Sequence, residues 1–252
     1  MKLKIKKYFV LMLSVFMVGS VTITGNAEDK IKTEGKVVTY SDKQITDVDT
    51  LYDMSESGIS DVVENPNDVA TVTNQDTGEK ETLETMSTTQ LIEIKQDRGT
   101  TEETYVKTTF LKPNEAESSS IKTRSSISDE KWDKTSGVKA YSTIKYTSSS
   151  GDGKFTYLKM SAVSGGWTIQ DKQIQITGRY VKMNQYGRIS GQQKGVTNTT
   201  SKNPTSNTFS YSAPSSWPAV GRGSIGFDFG VGTTANLKRA TSKWDLTFYN
   251  HL

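Results

Sequence analysis

Apolar and polar residues alternate with a period of two through much of the second half of the chain, and this pattern restricts the fold more than any other feature. Val138, Ala140, Ile144 and Tyr146 alternate with Lys139, Tyr141, Thr143 and Lys145. Trp244, Leu246 and Phe248 alternate with Asp245, Thr247 and Tyr249, and Ile225, Phe227, Phe229 and Val231 with Ser224, Gly226, Asp228 and Gly230. Successive side chains of a strand point to opposite faces, so each run has one apolar and one polar face, as antiparallel sheets covered on one side require. Residues 155–163, 173–183, 207–211 and 234–238 supply further strand candidates. Turn-formers punctuate them: Gly151 and Gly153, Gly165 and Gly166, Gly187, Pro204, Pro218, and Ala240 with Thr241. Helical periodicity is absent here, and the spacing predicts an all-β fold, with an antiparallel β-sandwich over residues 131–252.

Charge divides the chain at a different scale. Residues 28–117 hold 21 acidic and 9 basic side chains, whereas residues 118–252 hold 7 acidic and 18 basic ones. Aromatics divide at the same place: the acidic part has only Tyr40, Tyr52, Tyr105 and Phe110, and all four Trp lie beyond it. Large aromatic side chains dominate core burial, so the core is expected in the second part. Residues 42–66 carry Asp42, Asp47, Asp49, Asp53, Glu56, Asp61 and Glu64 with little apolar content, a composition that predicts disorder. Two β-hairpins are expected later, around the turn at Asn74 to Gly78 and around Asp97 to Gly99. The acidic, partly disordered part, 28–117, reads either as a propeptide or as a folded domain. Residues 118–130 read as a Ser-rich linker, in which Lys122 and Arg124 offer a processing site.

The first 27 residues have the form of a secretory signal peptide. Lys2, Lys4, Lys6 and Lys7 precede an apolar run over residues 8–18, and Gly25 and Ala27 place small residues before Glu28, so cleavage is expected after Ala27. The apolar core is shorter than the roughly 20 residues needed to span a bilayer. The expected location is extracellular, after export.

The chain has no Cys and one His, His251, which removes thiol nucleophiles, disulfides, zinc ribbons and two-His metal sites. Gly221, Gly223 and Gly226 have the spacing of a dinucleotide fingerprint, but they lead into a strand rather than a helix and read as turns. Ser-x-x-Lys occurs at Ser119, Ser128, Ser136 and Ser142 without the companion signatures of a Ser–Lys enzyme. A glycosidase needs only two carboxylates. Asp228 and Asp245 fall on polar strand faces, where solvated charge is the ordinary explanation. Asp129, Glu130 and Asp133 lack a calcium-loop pattern. No catalytic residue, metal ligand or cofactor is assigned.

What remains are aromatic side chains on loops or polar faces. Trp217 lies in a Pro-bounded loop, Trp167 follows two glycines, and Tyr141 and Tyr249 occupy the polar faces of their strands. Such rings stack on sugars or sit at a lipid headgroup interface; packing beneath loops is the alternative. The basic balance attracts anionic partners, among them cell-wall polymers, glycans and anionic lipids. Lys and Arg are scattered singly, so nucleic acid is not expected. The runs 138–147, 163–169, 204–212 and 244–248 resemble a group of exported β-rich proteins of Gram-positive bacteria with no known activity, which implies compartment and fold over residues 130–252 only. The expected function is a secreted, non-catalytic binding module at a cell surface. The alternative is a membrane-active, bacteriocin-like toxin precursor whose acidic part masks the basic domain until cleavage.

Overall fold

A computed structural model describes residues 37–64, 68–97, 99–112, 137–150, 153 and 155–252, all within one compact unit. The expected leader with its cleavage point at Ala27, the expected linker 118–130 and the candidate processing residues Lys122 and Arg124 lie outside the described residues. The fold is all-β with antiparallel pairing and one short helix.

In chain order the strands are β1 (Val37–Ser41), β2 (Val69–Asn74), β3 (Lys80–Leu83), β4 (Thr85–Asp97), β5 (Thr100–Leu111), β6 (Val138–Ser150) and β7 (Thr156–Ile169). They continue with β8 (Gln175–Arg188), β9 (Gly195–Lys202), β10 (Thr208–Ser212), β11 (Val220–Gly221), β12 (Asp228–Arg239) and β13 (Ser242–His251). Helix α1 (Val48–Glu56) follows β1. One sheet runs β1-β4-β5-β6-β7-β10, with β11 also on β7; the other runs β3-β2-β13-β12-β8-β9. Ile144, Leu158, Met160 and Trp167 of the first sheet and Val72, Val181, Met183, Phe229, Leu246 and Phe248 of the second belong to one buried cluster. Two sheets sharing an apolar interior are consistent with a β-sandwich.

The core is not confined to the second half. Ala70, Val72, Leu83 and Leu111 contribute to it, β5 pairs with β6 from Glu102↔Ser149 to Phe110↔Tyr141, and β2 pairs with β13. Both expected hairpins form, as β2–β3 and β4–β5. Joining the sheets at this point is a buried ion pair. Lys107 Nζ on β5 lies 2.9 Å from Asp68 Oδ2, with side-chain exposures of 3% and 1%. The carboxylate also accepts from the His251 main-chain N–H (2.8 Å) and Thr109 Oγ1 (3.1 Å), while Lys107 Nζ donates to the His251 carbonyl (2.8 Å). A charge pair out of water is tolerated only when its remaining hydrogen-bonding capacity is met, and here it is.

Residues 42–64 depart from the disorder expected of them. The segment orders through polar main-chain pairing rather than apolar area. β1 covers the edge of β4 only over Glu93 to Gln96, and residues 59–61 take over the exposed edge beyond it. Asp61 N–H donates to the Thr89 carbonyl (2.9 Å), and Leu91 N–H donates to Asp61 Oδ2 (2.8 Å). Thr88 Oγ1 donates to the Ile59 carbonyl (2.8 Å). At the other end the buried Gln90 amide bonds both main-chain groups of Ile45. Composition does not register such edge completion, because it depends on where β1 stops.

Two strand boundaries also move. β12 begins at Asp228, so its buried face is Phe229, Val231, Thr233, Ala235 and Leu237. Phe227 is half-buried, and Ile225 is 95% exposed in a turn where Gly223 and Gly226 have positive φ. Gly165 and Gly166, expected to turn the chain, instead lie within β7. A Cβ at Gly165 would come within 2.7 Å of the Phe209 ring, and one at Gly166 within 3.2 Å of the Tyr141 ring. These glycines make space for aromatic rings on the two faces of the sheet rather than reversing the chain.

Candidate functional site

Helix α1 covers part of the outer face of the β1–β10 sheet and ends the coverage abruptly. Asp47 caps it, accepting from Thr50 N–H (2.9 Å) and Thr50 Oγ1 (2.6 Å), and these bonds hold the Asp47 carboxyl below its ordinary pKa. Leu51 and Ser55, one turn apart, face the sheet and are buried. That orientation brings the next residue, Tyr52, over the sheet beside the helix. Its ring meets Phe110 edge-on at 5.4 Å, and Phe110 stacks on its cross-strand neighbour Tyr141 at 6.0 Å. Tyr141 sits opposite Gly166, where the missing side chain leaves room for the ring.

The result is an open cleft of about 570 Å³ between α1 and the ends of β5, β6 and β7. Tyr52 and Tyr141, both half-buried, supply its aromatic surface, with the buried Phe110 ring packed between them; Asp49 and Asp53 lie along the helix side, and Lys112, Lys139, Thr168 and Gln170 along the strand side. Lys112 is ion-paired with Glu84 (2.9 Å), and Lys139 Nζ stands 5.4 Å from the centre of the Tyr52 ring. Burial raises the pKa of Tyr141; burial and then the nearby Glu56 and Asp53 raise that of Tyr52. Both phenols are therefore neutral hydrogen-bonding groups at physiological pH. The cleft can stack a ring and bond hydroxyls or amines around it, which suits a saccharide-sized ligand.

The four aromatic residues singled out from the sequence part company. Tyr141 lines the cleft. Tyr249 is half-buried on the outer face of the other sheet, its ring lying over Gly232 and its hydroxyl donating to Asp228 Oδ1 (3.1 Å). Trp217 and Trp167 are 6% and 2% exposed and belong to the core, Trp167 against the Phe209 ring at 5.5 Å. Neither tryptophan presents a face to a ligand. Pro-bounded loops and Gly pairs looked like exposure in the sequence, but here they are the backbone that lets large rings turn inward. The sequence does not mark Tyr52 as a site residue, because the acidic segment around it has little apolar content; the cue is Leu51-Tyr52 followed by Ser55 behind a capping Asp47.

Asp228 and Asp245 share the outer face of their sheet, yet Asp245 pairs with Asn236, eight residues along β12 from Asp228. That places them roughly 26 Å apart at a strand rise of about 3.3 Å per residue, against about 5–9.5 Å for paired glycosidase carboxylates. Amide side chains bond both: Asn184 donates to Asp228, and Gln75 (2.6 Å) and Asn236 donate to Asp245. Ser142 is buried on β6 while Lys145 projects from the opposite face, so that Ser-x-x-Lys spacing makes no dyad. Among the described residues no three His, Asp or Glu side chains converge as a metal site, and no helix is long and apolar enough to cross a membrane. The chain matches no protein-family model, no curated protein and no solved structure.

Proposed function

We propose that the protein is an exported, non-catalytic β-sandwich module that binds a glycan-containing polymer at a bacterial surface. The signal-peptide pattern of the first 27 residues and the resemblance to exported Gram-positive proteins support the location. One observation carries the binding role: the cleft beside α1, where the half-buried rings of Tyr52 and Tyr141, bridged by the buried Phe110, are flanked by polar side chains from the helix and from the ends of the neighbouring strands. Rings of this kind contact the apolar faces of sugars, and rim groups fix orientation through hydrogen bonds.

The masked-toxin alternative is weaker on this fold. Release of the acidic part would strip β5 from β6 and β2 from β13, opening both sheets and exposing buried apolar side chains. Retention of the purified protein on isolated cell wall at low salt tests the binding reading. Tyr141→Ala should abolish most of that retention with the tryptophan fluorescence of the fold unchanged, because Tyr141 lies outside the shared core. Absence of retention by the unaltered protein contradicts it. Trp217→Ala is uninformative, since the residue is a core side chain.

A further inference from the structure

Charge over the second half of the chain and charge at the cleft point in opposite directions. The second half is strongly basic, which would draw anionic polymers from a distance. Within the cleft, however, Lys112 is already paired with Glu84, and Lys139 holds its ammonium against the Tyr52 ring. Asp49 and Asp53 stand four residues apart on α1, both exposed and both lining the cleft. Neither meets a cation within ion-pair distance among the described residues. Positions four apart share one side of a helix, so the two carboxylates flank the same space. At contact distance these local groups decide, because fields from charges more than about 8–10 Å away are largely screened at physiological salt.

We infer that the cleft selects an amine-bearing sugar, a hexosamine unit with a free ammonium group, over its N-acylated or anionic counterparts; the inference rests on the saccharide-binding reading above. The Tyr52 ring, with Asp53 beside it in sequence, is the ammonium site, and Lys139 occupies it in the ligand-free protein. A cation over an exposed ring contributes about 0.5–1 kcal/mol, equivalent to about 2- to 5-fold in affinity. A ligand ammonium must displace Lys139 and also face its charge. Lys139→Gln therefore acts in the direction opposite to an ordinary contact-removing change: it strengthens binding of the amine sugar.

The test is calorimetric titration of the full chain with a glucosamine hexamer and, separately, the N-acetylglucosamine hexamer, at low salt and a mildly acidic pH at which the free sugar amines carry their protons. The expected result is tighter binding of the free-amine hexamer, a gain of about 2- to 5-fold for it in Lys139→Gln, and a loss in Asp53→Asn. N-acetylated hexamer bound equally or better, with Lys139→Gln neutral or weakening, overturns the amine preference and leaves the saccharide reading standing. Failure of both hexamers to bind overturns the inference and that reading together.

Discussion

Replacing Asp68 by Asn probes the junction between the acidic and basic parts with little change of shape. Asn keeps the size of Asp and one carbonyl oxygen, which can still accept from the His251 N–H or from Thr109. It removes the counter-charge of Lys107, whose side chain is 3% exposed and whose remaining partner is the neutral His251 carbonyl. Breaking one side of a buried ion pair costs about 3–5 kcal/mol, because the other charge is stranded. In a unit of this size, about 2–4 °C of melting temperature accompanies each kcal/mol, so a drop of roughly 6–20 °C is expected. Urea unfolding followed by tryptophan fluorescence gives the free energy directly. Asp68→Asn combined with Lys107→Met removes both charges and should recover most of the loss, the two residues being in direct contact and therefore non-additive. A single variant within about 1 kcal/mol of the unaltered protein, or a double variant no better than the single, refutes the argument that this pair is a structural clamp.

Three further outcomes follow from separate features. Ala240 has φ of 51° in the two-residue loop between β12 and β13; Ala240→Gly should stabilise by about 1 kcal/mol, read as a higher urea midpoint at unchanged slope. Gly165→Ala should destabilise, since the new methyl would meet the Tyr141 carbonyl at 2.5 Å and the Phe209 ring at 2.7 Å; an unchanged melting temperature contradicts this packing. Tyr105 and Tyr249 have pKa values pushed up to about 12, by burial first and then by Glu103 and Asp228 respectively. The unfolded chain gives up these protons near pH 10 while the fold retains them, so their contribution is full below pH 10 and disappears as pH rises toward 12. Ultraviolet titration should find them ionising late, and Asp228→Asn should bring the Tyr249 transition down.

Much of the strand content was legible in the sequence because period-two alternation is a local signal. Val138 to Tyr146 and Trp244 to Tyr249 bury the side chains that the alternation assigned to the core. The reading failed where burial depends on a distant element. Gly165 and Gly166 resemble a turn until Phe209 and Tyr141 are placed against them. Ile225 resembles a strand residue until the positive φ of Gly223 and Gly226 bends the chain around it. Half of the candidate cleft was visible, as Tyr141 on a polar face. The other half, Tyr52 on α1, required knowing that an acidic segment with few apolar residues orders by completing the open edge of β4.

The acidic and basic parts form one cooperative fold, and only then does α1 stand beside Tyr141. Amide hydrogen exchange of the full chain reads this cooperativity, comparing β2 and β5 with β12 and β13. The expected result is a common slow rate, with Val72 and Val106 as protected as Val231 and Leu246, and loss of all four together on mild destabilisation. Fast exchange throughout β2 and β5 beside a protected β12–β13 pair would contradict it.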